Sequence, residues 1–263
     1  MSFEKITYEV QDDIAIIAFN DPSTMNAAGI DTIDEMSLAL EKAGDEARCT
    51  IITGNGRGFC SGANLSGNMA GGSKPVRKPD AGRELDRMYN PFIKAIRTHP
   101  HPVITAVNGA AAGVGCSIAL AGDFIIAAES AYFLQAFRRI GLVPDGGSTY
   151  LLTRAIGRAR AMEMTLFGEK IPAAQAETWG LVNRVVADDK LLDEAKAYAQ
   201  KLASGPTTAL ALIRDLIWQA EDNDFDNQLQ AERFAQRTAG RSPDFAEGVK
   251  AFLEKRPADF KKA

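Results

Sequence analysis

The sequence predicts an α/β protein that ends in an all-helical part, and three observations carry that reading. Apolar, β-branched runs alternate with helix-period amphipathic segments as far as residue 190. Two of those runs, CTIITG and PVITAVNG, each enter a Gly- and Ala-rich turn, as strands of an α/β core do where the chain changes direction. After Lys190 only helical patterns remain. The boundaries that follow are an α/β core over residues 1–190 and a helical module over residues 191–263.

In chain order, KITYEV and IAIIAF read as two strands around the turn residues Gln11-Asp12-Asp13, because apolar and polar residues alternate and β-branched types dominate. NDPSTMNAAG is a loop. IDTIDEMSLALEKAG is an amphipathic helix with Ile30, Ile33, Met36 and Leu40 near one face. CTIITG is a short buried strand leading into GNGRGFCSGAN, a glycine-dense loop. Residues 66–82 are rich in Gly, Ser, Lys and Pro and read as a mobile surface segment, either a binding lid or a segment without function. A helix follows from about Arg83 to Thr98. PVITAVNG is a strand, AAAGVG a turn, CSIALAG a short apolar helix and FIIAAE a strand. LLTRAIGRARAMEMTLFG and IPAAQAETWG are helical, the second with Pro172 at its start, and LVNRVV is a strand. The C-terminal helices are LLDEAKAYAQKLASG, stopped by Gly205, then PTTALALIRDLIWQAED, DNQLQAERFAQRTAG and SPDFAEGVKAFLEKRP, the last capped by Ser242 with a proline at its first position.

With 263 residues, 46% hydrophobic and 24% charged, the chain has the composition of a globular protein able to bury a full core. A net charge of −4 argues against a nucleic-acid partner. The N-terminus MSFEKITYEV lacks a basic segment followed by an apolar run, so no secretory signal, membrane span or membrane partner is expected and the default location is cytoplasmic. Cys49, Cys60 and Cys116 are odd in number and widely spaced, which disfavours a disulfide framework and structural zinc. Cys60 is expected to be a small buried hydrophobe rather than a nucleophile.

Few groups remain for chemistry. His99 and His101, in RTHPHPV, read as a surface turn, with neither the partners of a metal site nor those of a triad. GNGRGFCSG satisfies neither the phosphate-loop nor the dinucleotide pattern. What is left is backbone: two Gly/Ala-rich turns whose N–H groups either converge on an anion or simply reverse the chain. One carboxylate stands out. Asp145 lies between Pro144 and two glycines in GLVPDGGSTY, and no other acidic residue lies between Ser130 and Met162. It faces either water, as turn aspartates do, or a pocket.

Several stretches, in order and at the right spacing, resemble the crotonase (enoyl-CoA hydratase/isomerase) superfamily: PSTMNA, GFCSGANL, AVNGAAAGVGCSIALAGDF, GLVPDGGSTYLLTRAIGRARAMEM and SPDFAEGVKAFLEKRPADF. The similarity spans residues 4–260. It implies a crotonase-like spiral of ββα units with a helical C-terminal trimerisation region, and self-association as a trimer or a dimer of trimers. It also implies an acyl-CoA small-molecule substrate, with coenzyme A as part of the thioester and no tightly bound cofactor or metal. The resemblance places the two enolate-stabilising N–H groups on Ala63 and Val114, and the adenine contacts on Ser61, Gly62, Asn64 and Leu65. Phe252 and Lys255 would reach a neighbouring subunit's coenzyme A site. The helical module would thus serve oligomerisation and pocket closure.

Two departures from the family pattern carry information. Hydratases of the family place water with two glutamates, and the matching positions here are Ser117 and Phe137. Serine is not a strong base and phenylalanine carries no proton to give. The VPD-G-G-x-T pattern and the YNPFIKAI stretch are similar to the 1,2-epoxyphenylacetyl-CoA isomerase and enoyl-CoA isomerase subgroup, in which a lone aspartate moves the proton; Ser148 replaces a more usual glycine. Dehalogenases of the family pair that aspartate with a histidine and a tryptophan, where this chain has Asn90 and Phe137. Dihydroxynaphthoyl-CoA synthases set it in a GSFD segment, where this chain has Leu142-Val143-Pro144. The resemblance therefore points to an isomerase with Asp145 as acid/base. Phe137, Ile140, Leu142 and Val143 are expected to form an apolar wall, with Ser117 lining the pocket. A hydratase, another acyl-CoA lyase or hydrolase of the family, and a non-catalytic acyl-CoA-binding scaffold are the alternatives.

Overall fold

The computed structural model describes residues 3–64 and 80–261. Leu65 and most of the Gly/Ser/Lys/Pro-rich segment lie outside the described residues.

The chain opens with a hairpin, β1 (Ile6–Gln11) and β2 (Ile14–Phe19), in which Gln11 pairs with Ile14. Asp12 and Asp13 alone form the turn and both have positive φ, 54° and 63°. That is the two-residue geometry whose twist matches the flanking strands. β2 is buried along its whole length because α1 (Ile30–Glu46) packs over it and β3 (Cys49–Gly54) pairs with it in parallel. Helix α1 turns Ile33, Met36, Ala39, Leu40 and Ala43 inward, a stripe at helical spacing that fixes its orientation.

From β3 onward the chain repeats one step. A strand enters a large sheet, a short strand follows at once in a second sheet, and a helix closes the unit. The first unit is β3, β4 (Gly58–Cys60) and the helical stretch α2 (Gly82–Glu84), a π turn (Leu85–Tyr89) and α3 (Asn90–Arg97). The second is β5 (Val103–Val107), β6 (Ala110–Ala112) and α4 (Val114–Leu120). The third is β7 (Phe124–Ala128), β8 (Tyr132–Leu134), a 3-10 turn (Ala136–Ile140) and α5 (Ser148–Phe167). Then come β9 (Ile171–Pro172), α6 (Ala173–Trp179) and β10 (Arg184–Val186). The large sheet has the order β1-β2-β3-β5-β7-β10, parallel from β2 to β10; the small one runs β4-β6-β8-β9, with β4, β6 and β8 parallel.

Two expectations change at the small sheet, and a third strand forms in a stretch to which no element was assigned. GNGRGFCSGAN is not all loop, AAAGVG is not all turn, and the apolar stretch before Gln135 contains a strand: β4, β6 and β8 come from these segments. Each is three residues long, too short for an alternation to register, and β6 is all alanine. Only pairing with its neighbours makes such a segment a strand. A further change is in α5, which is broken at Gly157 (φ 75°, ψ 162°) rather than continuous. The helix expected over 83–98 forms, with the π turn inside it.

Helices α7 (Leu191–Ala203), α8 (Thr207–Ala220), α9 (Phe225–Ala239) and α10 (Pro243–Glu254) complete the chain. Helix α7 packs on β2, β3, β5 and β7 through Leu191, Ala195, Ala199 and Ala203, so the first helix of the C-terminal part is a layer of the core. Ser242 caps α10 by accepting from the Phe245 N–H, with Pro243 at the first position. Phe234, Phe245, Val249, Phe252 and Leu253 all remain on the surface of the chain. No helix among the described residues is long and apolar enough to cross a membrane.

The histidines depart most from expectation. His99 and His101 are buried, at 5% and 2% exposure, with their rings edge to face at 4.2 Å. His101 Nε2 lies 3.0 Å from Ala43 O of α1, and His99 Nε2 lies 3.3 Å from Thr50 Oγ1 of β3. Arg214 of α8 closes over them, donating to the carbonyls of His99, Ile96 and Arg97. RTHPHPV reads as a surface turn only until a helix from the far end of the chain covers it.

Candidate active site

The parallel strands β4, β6 and β8 end side by side, and the three segments that leave them carry the candidate residues. Ligands of open parallel sheets commonly sit beyond the carboxyl ends of the strands.

After β4, the chain runs Ser61, Gly62, Ala63, Asn64. The Ser61 N–H donates to Met25 O (3.0 Å) and its Oγ to Thr24 O (2.9 Å). Ala28 grips the next two peptides: its N–H donates to Gly62 O (2.8 Å) and its carbonyl accepts from the Asn64 N–H (3.3 Å). These bonds form an isolated parallel bridge between Ala28 and Ala63. In that pattern the paired residue's own N–H points away from the bridge, so the Ala63 N–H is left facing outward.

After β6, Gly113 turns the chain into α4 with φ 54° and ψ −129°, a conformation open to glycine. Its N–H is held by Leu134 O (2.9 Å) of β8. Val114 is the first residue of α4, where a helix has no internal acceptor for its N–H. The two turns touch. A Cβ placed on Gly62 (φ 106°) would lie 3.0 Å from Ala112 O and 3.9 Å from Gly113 Cα. Glycine at both points lets the backbones meet one residue before Ala63 and one residue before Val114. Among the described residues neither N–H has a backbone acceptor.

After β8, Phe137 is buried, with its Cζ 3.8 Å from where a Cβ on Gly113 would sit. The wall expected from Ile140, Leu142 and Val143 does not form within the chain. Gly141, at φ 72°, turns the segment outward and leaves all three exposed, Val143 at 78%. Asp145 follows on a turn clamped to α4. Its main-chain carbonyl accepts from Ser117 Oγ (2.9 Å), Ser148 Oγ (2.8 Å) and the Ser148 N–H (3.0 Å). Ser117 and Ser148 thus hold the turn. Gly146 packs so closely that a Cβ there would lie 2.8 Å from Ser117 Cβ and 3.5 Å from Val114 Cγ2. A longer side chain at 117 would displace the turn that carries Asp145.

The Asp145 side chain is half-buried, and its Oδ1 is shut off from solvent with no hydrogen-bond partner among the described residues. Burial alone pushes the carboxyl up to about 6. Between Ser130 and Met162 the chain supplies no second acid to share the proton. Beside this turn, between α3, α5 and α8, a cavity of about 180 Å³ is lined by Asn90, Ile93, Gly146, Tyr150 and Trp218. A wider hollow of about 570 Å³ lies at the C-terminal half of α5, among Met162, Leu166, Phe167 and Ile171, and contains none of these groups.

Two residues of the site escaped the sequence reading. Tyr89, at the end of the π turn, is buried and donates to Ala28 O at 2.6 Å. Its phenol is raised by burial first, then by the nearby Cys60, Asp145 and Glu84. Glu84 keeps a buried Oε2 without a partner among the described residues. YNPF was visible as a motif, but only the π turn sets which of its side chains faces inward. Cys60 and Cys116 are fully buried, and burial lifts both thiols to about 12, so neither is a nucleophile at neutral pH. No cluster among the described residues could hold a metal ion. Phe252 is 82% exposed, and Lys255 ends α10 in a left-handed conformation.

Comparisons with known proteins came to the same region of sequence space. The family model for "Enoyl-CoA hydratase/isomerase" matches residues 9–263. The chain is 43% identical over 259 residues to the "1,2-epoxyphenylacetyl-CoA isomerase" of Escherichia coli, covering 98% of each protein. It is 44% identical over 260 residues to a "Probable enoyl-CoA hydratase" of Rhodobacter capsulatus, covering 99% of each. It is 31% identical over 264 residues to the "Trans-2-decenoyl-[acyl-carrier-protein] isomerase" of Streptococcus mutans, again covering 99% of each. Among solved structures, an enoyl-CoA hydratase from Bacillus anthracis superposes with a TM-score of 0.91 at 30% identity, over 99% of this chain and 100% of the other.

Proposed function

Because the chain belongs to the enoyl-CoA hydratase/isomerase family, with that family's fold, we propose that it is an acyl-CoA isomerase in which Asp145 is the single acid/base. The observation that carries this reading is the buried Oδ1 of Asp145, without a partner among the described residues, beside the turns at Gly62 and Gly113 that lead into Ala63 and Val114.

A thioester carbonyl acidifies the carbon next to it, and the difficulty is to hold the charge that develops on oxygen. The N–H groups of Ala63 and Val114 would donate to that oxygen, each worth about 2.7–4 kcal/mol if comparable with other oxyanion donors. With a 3-enoyl-CoA, the Asp145 carboxylate takes a proton from C2. The electron pair moves onto the thioester oxygen, and the double bond shifts from C3–C4 to C2–C3 as the same proton is returned to C4. One carboxylate suffices, and a pKa near 6 suits a group that both takes and gives. A ring-1,2-epoxyphenylacetyl-CoA, opened to its oxepin-like isomer, is the other substrate of this reading. Coenzyme A enters as part of the substrate, through Ser61, Gly62, Asn64 and Leu65, with no tightly bound cofactor.

The exposed Ile140, Leu142 and Val143, and the exposed apolar residues of α9 and α10, support a trimer or a dimer of trimers. In that assembly a neighbour would cover them and supply Phe252 and Lys255.

The hydratase reading draws on the Rhodobacter relative, whose name describes water addition to the same class of thioester. Against it stand Ser117 and Phe137 at the positions of the two water-placing glutamates, and the close packing of Gly146 on Ser117. A panel of 2-enoyl, 3-enoyl and ring-epoxide thioesters read by product mass and ultraviolet absorbance separates the two. Isomerisation conserves mass and is expected with the 3-enoyl or epoxide substrate. Faster gain of one water by a 2-enoyl-CoA would overturn the isomerase reading, and no turnover of any thioester despite binding would leave a scaffold.

A further inference from the structure

Tyr89 stands outside the bond-making chemistry, yet it is tied to one of the two groups proposed to stabilise charge. The helical stretch that begins at Gly82 is wound as a π turn over Leu85–Tyr89 before it continues as α3. A π turn adds a residue to the helix and re-aims the side chains around it, and such turns are frequent at functional sites. Here the re-aimed side chain is buried, and its hydroxyl donates to Ala28 O at 2.6 Å.

Ala28 is the residue that grips Ala63 on both sides, through Gly62 O (2.8 Å) and the Asn64 N–H (3.3 Å). The bridge it makes is an isolated one, with no continuing ladder to stiffen it. The approach to it is irregular, with Met25 and Asn26 both at positive φ. The Tyr89 hydroxyl is the one side-chain hydrogen bond to Ala28 among the described residues. It runs from the end of the π turn to the carbonyl at the centre of the bridge.

We infer that Tyr89 is a positioning residue: through Ala28 it fixes the direction of the Ala63 N–H toward the thioester oxygen. This rests on the reading of Ala63 and Val114 as the donor pair. The Tyr89 hydroxyl is engaged with Ala28 O, so its effect would fall on charge stabilisation through the Ala63 peptide. Misplacing a catalytic group by about 1 Å can lower a rate by about 100-fold.

The test compares the parent with Tyr89→Phe, which keeps the ring in its place and removes only the hydroxyl. The carbonyl stretch of a bound, carbonyl-labelled saturated acyl-CoA reports polarisation directly. The parent should shift it to lower frequency relative to free thioester. Y89F should shift it less and lose about 10- to 100-fold in kcat, with KM and the apparent pKa of the pH profile near the parent's. A merely structural tyrosine would lower the melting temperature and leave the carbonyl band of the folded protein at the parent's position. An unchanged band with unchanged kcat in Y89F, or a loss confined to KM, overturns the inference while leaving the donor pair intact. No shift in the parent overturns the donor pair, and the role of Tyr89 with it. Should Y89F not fold, 3-fluorotyrosine at position 89 keeps ring and hydroxyl while altering the strength of the bond. A carbonyl band that does not move on that replacement also overturns the inference.

Discussion

Two aspartates in this chain, Asp123 and Asp145, are both taken out of water, and burial raises both carboxyls. At Asp123 the environment answers. Oδ2 accepts from the Val103 N–H (2.7 Å) and from Arg214 Nε (2.6 Å), and the guanidinium pulls the carboxyl back down. At Asp145 nothing among the described residues pulls back: burial is the sole cause of its shift, and Oδ1 has no partner there. The main chain around Asp145 is held by three hydrogen bonds while the side chain is left open. A buried carboxylate with every bond made holds structure together. One whose backbone is clamped and whose oxygen is free is set up to exchange a proton.

The sharpest trial of that contrast is Asp145→Asn, which keeps the size of the side chain and removes the base. Isomerase turnover should fall by about 10²–10⁴-fold, the usual worth of a placed acid/base, while titration calorimetry still shows acyl-CoA binding. The parent's kcat/KM should rise with pH through about 6, where the carboxyl gives up its proton, and that limb should vanish in D145N. Parallel loss of binding would make Asp145 a structural turn and break the contrast.

Asp123→Asn should do the reverse. It leaves the Arg214 guanidinium buried without its counter-charge, and breaking a buried pair typically costs about 3–5 kcal/mol. Urea unfolding should show that loss, and the folded fraction should turn over at the parent's rate. Slowed chemistry in folded D123N would mean that the two regions are coupled.

A smaller effect tests the surroundings of Asp123. His99 is held neutral, its pKa lowered to about 3 by burial first, then by His101 and Arg214; His101 is lowered as well. Both are depressed below the unfolded value near 6.5, so below that pH the unfolded chain binds protons that the folded chain refuses. Stability should therefore fall as pH drops from about 6.5 toward 3, with about 2 kcal/mol lost through His99 by pH 5. His99→Gln should flatten the slope in urea melts at pH 7 and pH 5. An equal slope in both proteins would remove His99 from the account.

Asp145 was legible because it is the lone acid between Ser130 and Met162, set between Pro144 and two glycines, and that composition is local information. The two glycine turns were legible as turns for the same reason. Their meeting was not, since the contact of Gly62 with Gly113 depends on β4 and β6 lying side by side. The histidines misled because proline and histidine in RTHPHPV have the composition of a surface turn; Arg214, 115 residues further along from His99, makes the site an interior. Ile140, Leu142 and Val143 misled in the opposite sense, since apolarity predicts burial but does not say against what.

The sequence by itself determined the long strands, the helices and the isolation of Asp145 as a lone acid, because hydrophobic periodicity over six residues or more, helix caps and isolated charges are written within a few residues of one another; the resemblance to a family, not the charge pattern, made that acid a candidate base. Only the tertiary structure decided the rest. The three-residue strands of the small sheet exist through their neighbours, and the π turn aims Tyr89 at Ala28. The isolated bridge with Ala28 sets which way the N–H of Ala63 faces, and α8 makes an interior of the histidine turn. Each of these depends on atoms far apart in the chain, and a hydrogen bond or a packed contact between such atoms leaves no periodic trace in the residues that make it.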